Sequence, residues 1–124
     1  MRRILIVDDS ATMRRMVAAS LRNLTDVVFE EASSGLEAIE RLSLLPASLM
    51  ILDLNMPDMH GLDVLKFVRG QQGSRNLPII ILTTRNDEES RTAALDAGAT
   101  LYMTKPFDPA GLSSSAGKLL ESHR

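Results

Sequence analysis

Five side chains with chemical potential stand where apolar runs of this 124-residue chain stop. Ile4-Leu5-Ile6-Val7 gives way to Asp8-Asp9, and Leu49-Met50-Ile51-Leu52 gives way to Asp53. Pro78-Ile79-Ile80-Ile81-Leu82 runs into Thr83-Thr84, and Thr100-Leu101-Tyr102-Met103 into Thr104-Lys105-Pro106. Singly, each has a plain reading. Asp8 and Asp9 suit the positive end of a helix, Thr83 suits a strand end, and a lysine before proline suits a solvated loop. Asp53 resists such a reading, because a buried strand does not spend its last position on a charge without compensation. The joint pattern at four strand ends carries the signal.

Carboxylates gathered at one edge repel. Two unit charges about 4 Å apart cost roughly 4 kcal/mol at an effective dielectric near 20. Lys105 supplies one positive charge and leaves the group net negative. Hard oxygen ligands with open positions suit Mg²⁺. A cation invites a phosphoryl group, whose oxygens can also meet Lys105 and the Thr83 hydroxyl. A carboxylate can itself be the nucleophile.

The elements that must position these groups alternate strand and helix. Met13, Met16, Val17, Ser20, Leu21 and Leu24 recur at helical spacing, with Ser10 or Thr12 as cap. Val27–Ala32 is mixed in character, as expected of an edge strand. Ser34-Gly35-Leu36-Glu37 reads as a capping box, Ala38, Ile39, Leu42 and Leu45 continue its helix, and Pro46 ends it. The third helix starts near Gly61, presents Leu62, Leu65 and Val68, and frays at Gly70 and Gly73. A polar segment from Arg85 to Arg91 leads to a helix around Ala93-Ala94-Leu95 with Gly98 just past its end. Asp108-Pro109 opens a last helix that turns Leu112, Ala116, Leu119 and Leu120 inward and is weakened by Gly111, Gly117 and three serines. The expected fold is α/β: a doubly wound, five-stranded parallel sheet with five helices, in one domain spanning residues 1–124. Its strand ends share one edge, where open α/β sheets bind ligands.

Composition narrows the classes. A formal charge of −2 and 3% aromatic residues without Trp give no basic footprint or stacking platform for nucleic acid. The absence of Cys rules out disulfides and thiol chemistry. The four apolar residues after Met1-Arg2-Arg3 are too few for a signal-peptide core, and no stretch approaches a membrane span. A cytoplasmic protein is expected.

Asp8-Asp9, Asp53 with Met56-Pro57 and Gly61, Thr83, and Lys105-Pro106-Phe107 together resemble the receiver domain of two-component response regulators. The resemblance spans essentially the whole chain. Asp9-Ser10-Ala11-Thr12-Met13-Arg14-Arg15 further resembles single-domain chemotaxis regulators of the CheY type. The resemblance implies a flavodoxin-like strand order 2-1-3-4-5. It implies Asp53 as phosphoacceptor, and Mg²⁺ held by Asp9, Asp53 and the Asn55 carbonyl with Asp8 helping through water. It further implies Lys105 and Thr83 on the phosphoryl group, Tyr102 as switch, and a cis Lys105–Pro106 bond. The partners implied are a histidine kinase as phosphodonor, an effector such as the flagellar motor switch protein, and a phosphatase, with neither nucleic acid nor membrane. Such a protein is not an enzyme beyond its own phosphorylation and dephosphorylation. Phosphate-sink and phosphorelay roles stay open. An aspartyl-phosphate phosphohydrolase is disfavoured, because Asn55 stands where those enzymes place an acid. Three departures stand out: Thr84 replaces the usual Ala or Gly, Arg85 and Asn55 lie where relatives tune dephosphorylation, and His60 precedes Gly61 and reads as a solvated loop residue. His123 reads as incidental.

Overall fold

The apolar runs form the central sheet in the computed structural model, which describes residues 1–122. The strands are β1 (Arg2–Val7), β2 (Val27–Ala32), β3 (Leu49–Leu52), β4 (Ile79–Thr83) and β5 (Leu101–Thr104). All pair in parallel in the order β2-β1-β3-β4-β5. The mixed strand β2 is an edge, as its composition requires.

The helices are α1 (Ala11–Ser20), α2 (Gly35–Leu44), α3 (Gly61–Gly70), α4 (Glu88–Asp96) and α5 (Pro109–Ser122), with a 3-10 turn at Gln72–Ser74. The period-two alternation of a strand sorts the core into two layers. Leu5, Val7, Met50, Leu52, Ile79 and Ile81 face α2, α3 and α4 through Ala38, Val64, Leu65, Val68 and Ala94. Ile4, Ile6, Leu49, Ile51, Ile80 and Leu82 face α1 and α5 through Val17, Leu21, Leu112, Ala116 and Leu120. Covered on both faces, the central strands need continuous apolar runs, which is how they stand out in the sequence.

Several local expectations hold and others need correction. Ser10 caps α1 by accepting the Met13 N–H. Met16, placed on the inward face by spacing, is half exposed, while Val17 and Leu21 carry the buried face of α1. Ser34 caps α2 through the Glu37 N–H, but Glu37 reaches back to the N–H and hydroxyl of Ser33 rather than to Ser34. The first two N–H groups of α2, at Gly35 and Leu36, are taken by the Asp58 carboxylate across the molecule. Leu45 lies just past the end of α2 and is exposed.

Most of the polar segment before Ala93 is already helical. Asp87 caps α4 by accepting the Ser90 N–H at 2.9 Å, and Glu88 and Glu89 occupy its positive first turn. The helix buries only Ala94, so its sequence carries little apolar periodicity. Gly98 follows with φ of 111°, the left-handed conformation expected just past a helix end. In α5, the weakest helix by propensity, packing of Leu112, Ala116 and Leu120 overrides the glycines and serines. His123 lies outside the described residues. Among the described residues no helix is long and apolar enough to cross a membrane.

Candidate phosphoacceptor and metal site

Register places the chemical groups side by side. Val7 pairs with Leu52, so the next residues of their strands, Asp8 and Asp53, are neighbours. The Asp53 N–H donates to the Val7 carbonyl at 3.0 Å, extending the ladder to the carboxylate itself. Thr83 pairs with Thr104, and the Lys105 N–H donates to the Thr83 carbonyl at 2.7 Å. The edge of one sheet thereby brings together Asp8, Asp53, Thr83 and Lys105, with Asp9 beside Asp8. The Lys105–Pro106 bond is cis, as the resemblance implied.

Asp8 and Asp53 are 4% and 5% exposed and Thr83 is fully buried, while Asp9 is open to solvent. Ligand oxygens of Asp8, Asp9 and Asp53 lie within 4.8 Å of one another. Lys105 Nζ sits 2.7 Å from Asp8 and 3.4 Å from Asp53. One ammonium therefore faces a three-carboxylate cluster, and the remaining negative charge favours a cation. All the donors are hard oxygens and Asp9 is open to water, so the group fits Mg²⁺.

Backbone groups orient the carboxylates. The Ser10 N–H donates to Asp8 Oδ1 at 2.9 Å, and the Asn55 N–H to Asp53 Oδ1 at 3.2 Å. Arg14 donates to the Asp8 carbonyl and to Glu31, each at 2.6 Å, pinning α1 to the end of β1. Periodicity gave Arg14 no such role; its spacing shows only a polar face.

A second polar group lies at the mouth. Arg85 Nε donates to Asn55 Oδ1 at 2.7 Å, and Asn55 Nδ2 donates to Thr84 Oγ1 at 3.3 Å and to Thr83 Oγ1 at 3.5 Å. Thr84 is exposed. The Tyr102 hydroxyl donates to the Arg85 carbonyl at 2.8 Å. Burial is the main cause that raises the Tyr102 pKa above its ordinary value, with the Asp87 charge adding to it. His60 is half-buried rather than a solvated loop residue. Its Nδ1 accepts the Leu62 N–H at 3.1 Å and caps α3.

The model of the response regulator receiver domain matches residues 4–116. The chain belongs to that family. This receiver domain is 41% identical over 108 residues to the chemotaxis protein CheY1 of Helicobacter pylori, covering 86% of this chain and 87% of the relative. The high-resolution structure of the Vibrio cholerae chemotaxis response regulator CheY4 superimposes with a TM-score of 0.87 at 34% identity, covering 96% of this chain and 98% of that one. The Mn²⁺-bound form of the response regulator Rcp1 superimposes with a TM-score of 0.83 at 26% identity, covering 96% of this receiver and 91% of that protein.

Proposed function

We propose that this receiver is a phosphorylation-activated signalling switch with Asp53 as its phosphoacceptor. The observation that carries the reading is the buried Asp53 carboxylate, set between the Lys105 ammonium and two further carboxylates. Asp9, Asp53 and the Asn55 carbonyl would hold Mg²⁺, with Asp8 contributing through water. When bound, the ion offsets negative charge on phosphoryl oxygens.

The chain's own groups do the rest. An Asp53 carboxylate oxygen attacks phosphorus in line, the phosphorus–nitrogen bond of a kinase phosphohistidine breaks, and the imidazole leaves. The Asn55 N–H and Lys105 hold the carboxylate in place for that attack. Lys105 then turns from the carboxylates to the new phosphoryl oxygens, and the Thr83 hydroxyl donates a hydrogen bond to one of them. Tyr102 turns inward, and the face formed by α4, β5 and α5 changes its affinity for a downstream partner. Asn55 cannot supply a proton as an acid does, so multiple turnover on phosphate esters is not part of the reading.

The cytoplasm is the proposed site of action, and chemotaxis the proposed setting. A similar protein in Helicobacter pylori carries that role in its name, and the flagellar motor switch is the partner to test first. Acetyl phosphate with Mg²⁺ tests the chemistry: intact mass will rise by one phosphoryl group. No gain of mass under saturating donor would refute the proposal.

A further inference from the structure

The three clustered carboxylates are held unequally. Asp8 is fixed at both oxygens, by the Ser10 N–H at 2.9 Å and by Lys105 Nζ at 2.7 Å. Asp53 meets the Asn55 N–H at 3.2 Å and Lys105 at 3.4 Å. The exposed Asp9 carboxylate takes no hydrogen bond or ion pair from any described residue. Its place beside the other two therefore depends on the backbone that carries it.

Arg14 holds that backbone. From the first turn of α1 its Nη1 donates at 2.6 Å to the Asp8 carbonyl, the oxygen of the peptide that joins Asp8 to Asp9. Its Nε donates to Glu31 Oε1, also at 2.6 Å. Glu31 lies on β2 opposite Ile6 of β1, so the guanidinium is braced on the sheet and not on the turn it steadies. The Arg14 side chain is 14% exposed against 44% for Glu31, which leaves the arginine few other positions. By charge alone Arg14 is unfavourable here, since a cation repels a second cation nearby. Hydrogen bonding and charge thus predict opposite effects for its removal.

We propose that Arg14 is a positioning residue for Mg²⁺: braced on Glu31, it fixes the peptide between Asp8 and Asp9 and so sets the Asp9 carboxylate toward the ion. This rests on the reading of the cluster as the Mg²⁺ site that serves Asp53.

Wild type, Arg14→Met, Arg14→Lys, Glu31→Ala and the double variant Arg14→Met with Glu31→Ala are titrated with Mg²⁺ by calorimetry. Phosphorylation by acetyl phosphate is followed by intact mass across Mg²⁺ concentrations, and melting in chelator checks that each variant is folded. In Arg14→Met the Kd for Mg²⁺ rises about tenfold or more, the usual effect of losing a group that orients a metal ligand. The Mg²⁺ concentration that half-saturates phosphorylation rises with it, while the rate at saturating Mg²⁺ changes far less. A general loss of fold stability does not produce that split. Arg14→Lys, which keeps a donor for the Asp8 carbonyl, recovers part of the affinity. Glu31→Ala, at a half-exposed side chain, also raises Kd and adds nothing when Arg14 is already Met, because it acts through Arg14.

A wild-type or lower Kd in Arg14→Met overturns the proposal, as does a Glu31→Ala effect that persists undiminished in the double variant. A wild type that binds Mg²⁺ and gains no mass overturns the phosphoacceptor reading, and the Kd comparison still decides the role of Arg14. A wild type that binds no Mg²⁺ overturns the role of Arg14 itself.

Discussion

Gly61 and Asp53 meet backbone to backbone. A Cβ added to Gly61 would lie 2.3 Å from the Asp53 carbonyl oxygen and 2.6 Å from the Leu54 Cα. The Gly61 N–H donates to the Leu54 carbonyl at 2.9 Å, so the start of α3 is pressed against the loop that follows Asp53. Gly61→Ala forces that loop outward. We expect a loss of about 1–3 kcal/mol in chemical denaturation, the usual cost of overpacking. Phosphorylation by acetyl phosphate slows by about tenfold or more, because a misplaced nucleophile loses its line of attack. An unchanged rate would show that the loop tolerates displacement.

Mg²⁺ will stabilise the fold. Lys105 pairs with Asp8 and Asp53 of the Asp8, Asp9 and Asp53 cluster, and a cation that binds only the assembled cluster shifts unfolding by mass action. At a free concentration about 100 times Kd the gain is about 2.7 kcal/mol. Melting with Mg²⁺ and again with a chelator measures it. Asp9→Asn will reduce the shift, and an equal shift in that variant would place the ion elsewhere.

Acid will loosen the attachment between the Asp53 loop and α2. The Leu36 N–H, with that of Gly35, holds the Asp58 carboxyl below its ordinary value of 3.8. A depressed value means stability that is present above pH 3.8 and lost as pH falls through the folded-state value below it. Asp87, depressed by the Ser90 N–H at the start of α4, acts in the same direction. Denaturant midpoints across the acidic range will fall less steeply in Asp58→Asn than in wild type. Parallel curves would contradict the assignment.

Arg69 will prove structural rather than functional. Its Nε donates to the Gly98 carbonyl at 2.9 Å, and its Nη1 to the carbonyls of Ser74 and Arg75 at 3.3 and 3.2 Å. Burial lowers its pKa from the ordinary value. Arg69→Met leaves those carbonyls short of a donor and is expected to cost about 2 kcal/mol in urea denaturation. The phosphoryl gain by intact mass will stay complete, and its loss would show coupling between this clamp and the site.

The sheet and its functional edge are legible in the sequence for a physical reason. Strands covered on both faces must be continuously apolar, so Asp8, Asp53, Thr83 and Lys105 interrupt the pattern visibly. Helix α4 is harder to see, because burying Ala94 alone leaves no periodic stripe and only Asp87 marks its start. Met16 misleads because helical spacing marks a broad stripe, of which only Val17 and Leu21 are buried to the core. His60 caps α3 only through a ring nitrogen turned onto the N–H two residues on, and Asp58 bound to the start of α2 and Arg85 on Asn55 depend on side chains crossing between segments distant in sequence. Neither periodicity nor local propensity encodes such contacts.

The central claim is that Asp53 receives the phosphoryl group. Wild type and Asp53→Asn are each treated with acetyl phosphate and Mg²⁺, quenched over a time course and weighed intact. The wild-type protein will gain one phosphoryl group and Asp53→Asn none on the same timescale. A gain of one phosphoryl group by Asp53→Asn at the wild-type rate would contradict the account.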